Sequence, residues 1–271
     1  MARPRTVEQC RALALVISCI VAMLALLGVP TGAHAACSGV IAGKDPLLRL
    51  ASAGGEGAVN VTFLGHASFL IESPAGVTIV TDYNDLIHAP VVPDIVTMNN
   101  THTTHYTDFV EPGIKLVLRG WDPAGGVARH QVEYRDVRIH NVPTNVREFG
   151  TTRYNGNSIF VFETADLCIA HLGHLHHTLT QSHLADLGAI DVVMVPVDGV
   201  WTLNQQDMVE VLRQIGAKLV IPMHFFGPVT LERFLARLGE EWSVRRAPRA
   251  SVLLSRAELP QRPEILVLPG R

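Results

Sequence analysis

The chain has 271 residues, with 22 Lys and Arg against 25 Asp and Glu, a net charge of −3 with His neutral, and 13 His. The near-balanced charge, without a basic run, argues against a nucleic-acid partner. Four Cys in this length do not make a disulfide framework, and the hydrophobic share of 48% suits an ordinary core.

The first 35 residues carry Arg3, Arg5 and Arg11, then an apolar run from Ala12 to Gly28, then Ala33-His34-Ala35. A basic head, a greasy middle and a small-x-small end predict a secretory signal peptide over 1–35 and an exported, periplasmic or secreted, product. The run is short for a membrane anchor, so no stable insertion is expected after its removal. Cys37 would follow the cleavage point, and a lipoprotein is the less favoured reading because His34 stands where a lipobox has Leu. Removal leaves 19 basic and 24 acidic residues, and Cys37 and Cys168 as thiols that either pair or stay free.

Residues 36–58 show no period and read as a flexible leader, with one domain over 59–271. Val59–Leu64, Ser68–Ile71 and Val77–Thr81 predict a three-strand meander broken by Gly65-His66-Ala67. Asp94–Met98 is a fourth strand, ending in the polar loop Asn99–Tyr106. Ile114–Leu118 and the alternating stretch Val132–Val142 follow, then a loop over 143–156. Ser158–Glu163 and Asp166–Ala170 pair through a turn and lead into His171-Leu-Gly-His-Leu-His-His177. From there strand and helix alternate. Helices are predicted at 179–187, capped by Thr180 or Ser182, at 204–215 and at 229–238; strands at 191–196, 218–222 and 251–254.

Histidine-bearing loops thus follow four strands, at His66, at His102 and His105, at 171–177, and at His224. Imidazole is the commonest zinc ligand, and strand ends can bring residues distant in sequence to one edge. One such ring is usually structural; several at strand ends are a metal-site candidate.

Phe63-Leu-Gly-His-Ala-Ser-Phe69, Asp82, Asp94-Ile-Val with its loop, Asn157-Ser-Ile-Phe, Ile169-Ala-His-Leu-Gly173, Asp191–Val197 and Val220-Ile-Pro-Met-His224 together resemble the metallo-β-lactamase superfamily, in its branch of ascorbate-phosphate lactonase-like and other small metal-dependent hydrolases. The resemblance covers roughly residues 59 to 254. It implies an α/β layered fold, an αββα sandwich with the metal site at one edge of two packed sheets.

The ligand set is altered. The family's loop His-x-His-x-Asp-His is here Asn100-Thr-His102-Thr-Thr104-His105; its His after Val-Pro is missing, with only Asn145 or Val146 on offer; its metal-bridging Asp is His174. A carboxylate can bridge two cations, whereas an imidazole gives one nitrogen to one metal. The expectation is one zinc, or another divalent transition metal, on His105, His174 and His224, with His102 as fourth ligand or neighbour. The resemblance places Asp82, Asn100, His171 and His177 around the ligands, and Asp198 and His66 are the candidate bases by position. His176 has no counterpart and reads as an exposed loop residue. The implied function is an exported hydrolase attacking an ester, lactone or phosphoester bond of a small molecule with metal-bound hydroxide. The alternative is a degenerate member that binds metal, ligand or partner without turnover.

Overall fold

The computed structural model describes Cys37, residues 57–148 and residues 150–270, all within the unit Ala36–Arg271. The predicted signal peptide and most of the predicted leader lie outside the described residues. Among the described residues no helix is long and apolar enough to cross a membrane.

Among the described residues fourteen strands form two sheets. β1 (Val59–Gly65), β2 (Ser68–Glu72), β3 (Thr78–Val80), β4 (Ile95–Met98) and β5 (Leu116–Arg119) belong to the first sheet, with β13 (Ser251–Leu254) on its other edge, in the order β13-β1-β2-β3-β4-β5. The second holds β6 (Gln131–Tyr134), β7 (Val137–Glu148), β8 (Thr151–Thr164), β9 (Leu167–His171), β10 (Val192–Pro196), β11 (Leu219–Met223), β12 (Ser243–Arg246) and β14 (Glu264–Val267). Its order is β12-β14-β11-β10-β9-β8-β7-β6. The predicted meander is present: β1, β2 and β3 are antiparallel neighbours, while β9, β10 and β11 run parallel.

Apolar alternation explains the layering. Phe63, Phe69, Ile71 and Ile79 of the first sheet pack against Phe160, Phe162, Ile169, Met194 and Ile221 of the second. Ile159, Val161, Ala170, Val193 and Val220 point the other way, to α1 (Gln181–Leu187), α2 (Gln205–Ile215) and α3 (Pro228–Leu235). Strands whose two faces are both covered read as continuous apolar runs, and β9, β10 and β11 are buried at every residue. The outer face of the first sheet, through Leu64, Leu70, Val80, Val96 and Met98, is covered by Ile87, Tyr106, Val110 and Trp121 of irregular segments. Among the described residues this outer layer contains no helix, where the sandwich expectation had helices on both sides.

The region 143–156 departs from expectation. It is no loop but the continuation of β7 into β8, paired from Thr144↔Asn157 to Glu148↔Thr151 with a bulge between Thr144 and Val146. Its polar side chains follow from partial exposure, which erased the apolar signal. The exposed edge strand β12 and the four-residue, largely buried strand β14 were missed because neither carries alternation long enough to register.

Cys37 and Cys168 form a disulfide with Cα atoms 5.6 Å apart. Cys37 is fully buried, so the predicted leader is pinned at this residue. The bond holds the outer face of β9, the strand that runs into the histidine-rich loop.

Candidate metal centre

Loops from both sheets meet at one edge. His66 sits between β1 and β2, His102 and His105 follow β4, His174 follows β9, and His224 follows β11. His102, His105, His174 and His224 each offer a ring nitrogen, and these four atoms lie within 4.8 Å of one another. His105, His174 and His224 are buried and His102 is exposed.

Each of the four rings has a polar group beside its Nδ1. His105 Nδ1 lies 2.6 Å from Asp82 Oδ2. His224 Nδ1 lies 3.1 Å from Asp198 Oδ1, an ion-pair approach rather than an aligned hydrogen bond. His102 Nδ1 lies 2.8 Å from Thr104 Oγ1, and His174 Nδ1 lies 2.6 Å from His176 Nε2. The Nε2 atoms are left to the centre. Those of His105 and His224 are buried with no hydrogen-bond partner, and those of His102 and His174 stand 3.0 Å apart. Buried polar atoms are almost always satisfied, so two orphaned nitrogens aimed at a third and a fourth fit a cation. Tetrahedral zinc with Zn–N near 2.0–2.1 Å sets ligand nitrogens roughly 3.3 Å apart, a separation inside the 4.8 Å within which the four atoms lie. The donor set therefore fits a divalent transition metal.

The scaffold around the rings is rigid. Asp82 is fully buried; its Oδ1 accepts from Asn99 Nδ2 at 3.0 Å, and Asn99 Oδ1 accepts from Ser158 N–H at 2.8 Å. Asn157 Oδ1 accepts from His174 N–H at 2.7 Å, while its amide donates to Thr144 and to the Leu172 carbonyl. His66, Asp82 and His224 all have positive φ, at 51°, 44° and 53°. Such conformations cost on the order of 1–3 kcal/mol each and persist where surroundings over-determine them. His224 N–H donates to the His66 carbonyl at 2.6 Å, tying the two sheets together at the site. Gly173, at φ +58°, leaves no room for a Cβ, which would fall 2.4 Å from Asn99 Nδ2 and 2.5 Å from Asn157 Oδ1.

Burial favours the neutral forms of His102, His105 and His174. Burial first, then the neighbouring histidines, pushes His105 and His174 well below the usual imidazole range. His66 is lowered to about 3 by burial, then by His224 and His102. Burial raises Asp82 to about 6.

The remaining expected residues fall in distinct places. His66 is in the cluster: its ring centroid is 4.1 Å from that of His224, and its Nε2 lies 3.0 Å from Thr104 Oγ1. Asp198, expected as a candidate base, is held by its own turn. Oδ2 accepts from the N–H groups of Val200, Trp201 and Thr202, and Oδ1 from the Thr202 hydroxyl. Its carboxyl lies below the usual range; burial opposes this, and His224 and those hydrogen bonds outweigh it. Such a carboxylate is a weak proton acceptor, suited instead to orienting His224. His171 accepts from Gly173 N–H at Nδ1 and donates from Nε2 to the Ala67 carbonyl at 2.8 Å, joining the sheets beneath the site. His177 accepts from Asn145 N–H and donates to the Thr178 carbonyl, pinning the bulged part of β7. Asn100 is held through its backbone, to Gly156 and Arg153. The exposed reading of His176 is corrected: it is buried against His174, because the loop turns inward at Leu175. Asn99, Asn157 and Thr104 were not given these roles from sequence; the hints were the place of Asn157 in a resemblance motif and of Thr104 at the position of the family's Asp, while Asn99 only followed a strand.

The description "Beta-lactamase superfamily domain" matches residues 60–224, which span all these histidines. A "UPF0173 metal-dependent hydrolase" of Pelotomaculum thermopropionicum is 28% identical over 192 residues, covering 62% of this chain and 84% of the relative. A namesake in Methanoculleus marisnigri is 27% identical, covering 70% and 92%. A Thermotoga maritima structure assigned as a Zn-dependent hydrolase of the metallo-beta-lactamase superfamily superposes with a TM-score of 0.57. It has 28% identity and covers 79% of this chain and all of that one. The chain belongs to the beta-lactamase superfamily, with the metallo-β-lactamase fold. Within it, the chain falls among the metal-dependent hydrolases.

Proposed function

We propose that this hydrolase works with a single divalent metal, zinc before others, held by His102, His105, His174 and His224, and cleaves an ester, lactone or phosphoester bond of a small molecule. The observation that carries this reading is the convergence of one ring nitrogen from each of four histidines, three of them with Nδ1 hydrogen-bonded and the fourth with Nδ1 beside the Asp198 carboxylate. A bound divalent ion supplies Lewis-acid activation of water and of the scissile group. The zinc-dependent assignment of the Thermotoga relative supports the choice of metal.

The chain's own residues divide the remaining work. Asp82 and Asp198 fix the tautomer and direction of His105 and His224. Thr104 Oγ1 lies between His102 Nδ1 and His66 Nε2, so a hydrogen-bonded line leads from a ligand to His66. By geometry His66 is the group placed to exchange a proton with this line, whereas Asp198 has its lone pairs engaged within its own turn. Exposed His102 keeps the cluster open to solvent. Exposed Phe226, with its ring 5.4 Å from that of His224, and exposed Val200 and Trp201 on the Asp198 turn favour a substrate with an apolar group. Export is supported by the N-terminal pattern and by the Cys37–Cys168 disulfide, a bond of oxidising compartments.

Metal content after purification without chelator tests the site. About one zinc per wild-type chain is expected, with loss in His174→Ala. Hydrolysis of p-nitrophenyl acetate, δ-valerolactone and bis(p-nitrophenyl) phosphate then ranks the bond classes. Two metals per chain would overturn the single-site reading, and a folded chain with none would overturn the metal centre itself.

A further inference from the structure

Three of the four ring partners are familiar chemistry: two carboxylates and a hydroxyl. The fourth is another imidazole, the Nε2 of His176 at 2.6 Å from His174 Nδ1. We propose that His176 is a positioning residue that fixes His174 in its metal-binding tautomer, taking a place filled by a carboxylate at His105 and His224. This rests on the metal-centre reading above.

Only one proton placement is compatible with ligation. For His174 Nε2 to present a lone pair to the centre, its proton must sit on Nδ1. That proton then points at His176 Nε2, which must accept, so His176 carries its own proton on Nδ1. The opposite arrangement would put a hydrogen on His174 Nε2 and remove it from the ligand set. His176 is buried, its ring centroid is 4.7 Å from that of His174, and Leu203 N–H donates to the Leu175 carbonyl between them at 2.8 Å. The acceptor is thus preorganised.

The test is zinc affinity by competition with a fluorescent chelator, alongside the visible spectrum of the cobalt(II)-substituted protein. His176→Leu keeps the volume and removes the acceptor; zinc affinity should fall roughly 10- to 100-fold and the cobalt bands should shift. His176→Gln can place its amide oxygen where Nε2 stands, and should stay within about three-fold of wild type with the cobalt bands preserved. His176→Asn is polar but too short to reach His174, and should behave like the Leu variant, which covers the case that Leu does not fold. Wild-type affinity in both the Leu and Asn variants would overturn the proposal. Equal losses in Gln, Asn and Leu would also overturn it, by marking a packing role. Failure of the wild-type chain to bind zinc would instead overturn the metal centre, and this assignment with it.

Discussion

At the scale of single residues, the site separates groups that face the centre from groups that aim them. His66 is in the first set, and His66→Ala should lower kcat by about 100-fold or more while zinc stays at one per chain. Steady-state kinetics with metal analysis on the same sample checks both halves. Gly173→Ala belongs to the second set. Its Cβ has no space between Asn99 and Asn157, and φ is +58°. A loss of at least about 2 kcal/mol is expected in urea unfolding, with zinc affinity reduced. The titration of the buried rings gives a further outcome for metal-stripped protein. Burial lowers His66, His102, His105, His171, His174 and His176, with His66 near 3 and His176 near 4. Their stabilising share is present above the unfolded value of 6.5 and is lost as pH falls toward 3, because the unfolded chain takes up protons first. Asp82, raised to about 6, acts in the opposite sense, losing its share as pH rises from 3.8 through 6. Six rings outweigh one carboxylate, so Tm should drop between pH 6.5 and 4; a flat profile would contradict the burial of the cluster.

At the scale of elements, strands were legible where one or both faces are apolar. Val59–Leu64, Asp94–Met98 and Lys218–Pro222 announce themselves through continuous or alternating β-branched residues, and so did the loops they launch. The β7–β8 extension did not, because Thr144, Asn145, Arg147, Glu148 and Arg153 carry polar side chains on a hairpin held by backbone pairing. Ligand loops could be read because histidine is uncommon and four strand ends bore it. Partners could not: Asn99 and Thr104 are ordinary loop residues and Asn157 an ordinary strand residue until tertiary structure turns them inward, and His176 looks exposed until Leu175 is seen to be buried. Asp198 was visible as a strand-end acid, but the three N–H groups that engage it come from its own turn, which spacing does not reveal. The turn also presents Trp201, and Trp201→Ser with Phe226→Ser should raise KM for apolar esters by roughly ten-fold without changing zinc content. A matched series of p-nitrophenyl acetate and hexanoate reads this out.

At the scale of the whole molecule, two sheets share one apolar interior and spend their common edge on chemistry. Each sheet supplies two of the four clustered histidines, so sliding one sheet over the other would open the cluster. The His171 bond to Ala67 and the His224 bond to His66 are the polar stitches that oppose such sliding. The disulfide adds a third restraint behind β9. Reduction, or Cys168→Ser, should cost about 2–5 kcal/mol of stability, read by chemical unfolding with and without reductant.

That bond also sets an order of assembly. It closes a covalent ring from Cys37 to Cys168 that encloses His66, His102 and His105, whereas His174 and His224 lie beyond it in the chain. A polypeptide emerging N-terminus first in an oxidising space can close the ring before its last two ligands exist. In such a space the ion would be loaded onto a chain already crosslinked, and overproduction is expected to succeed where thiol oxidation precedes metal supply, with zinc added to the finished chain rather than to the growing one.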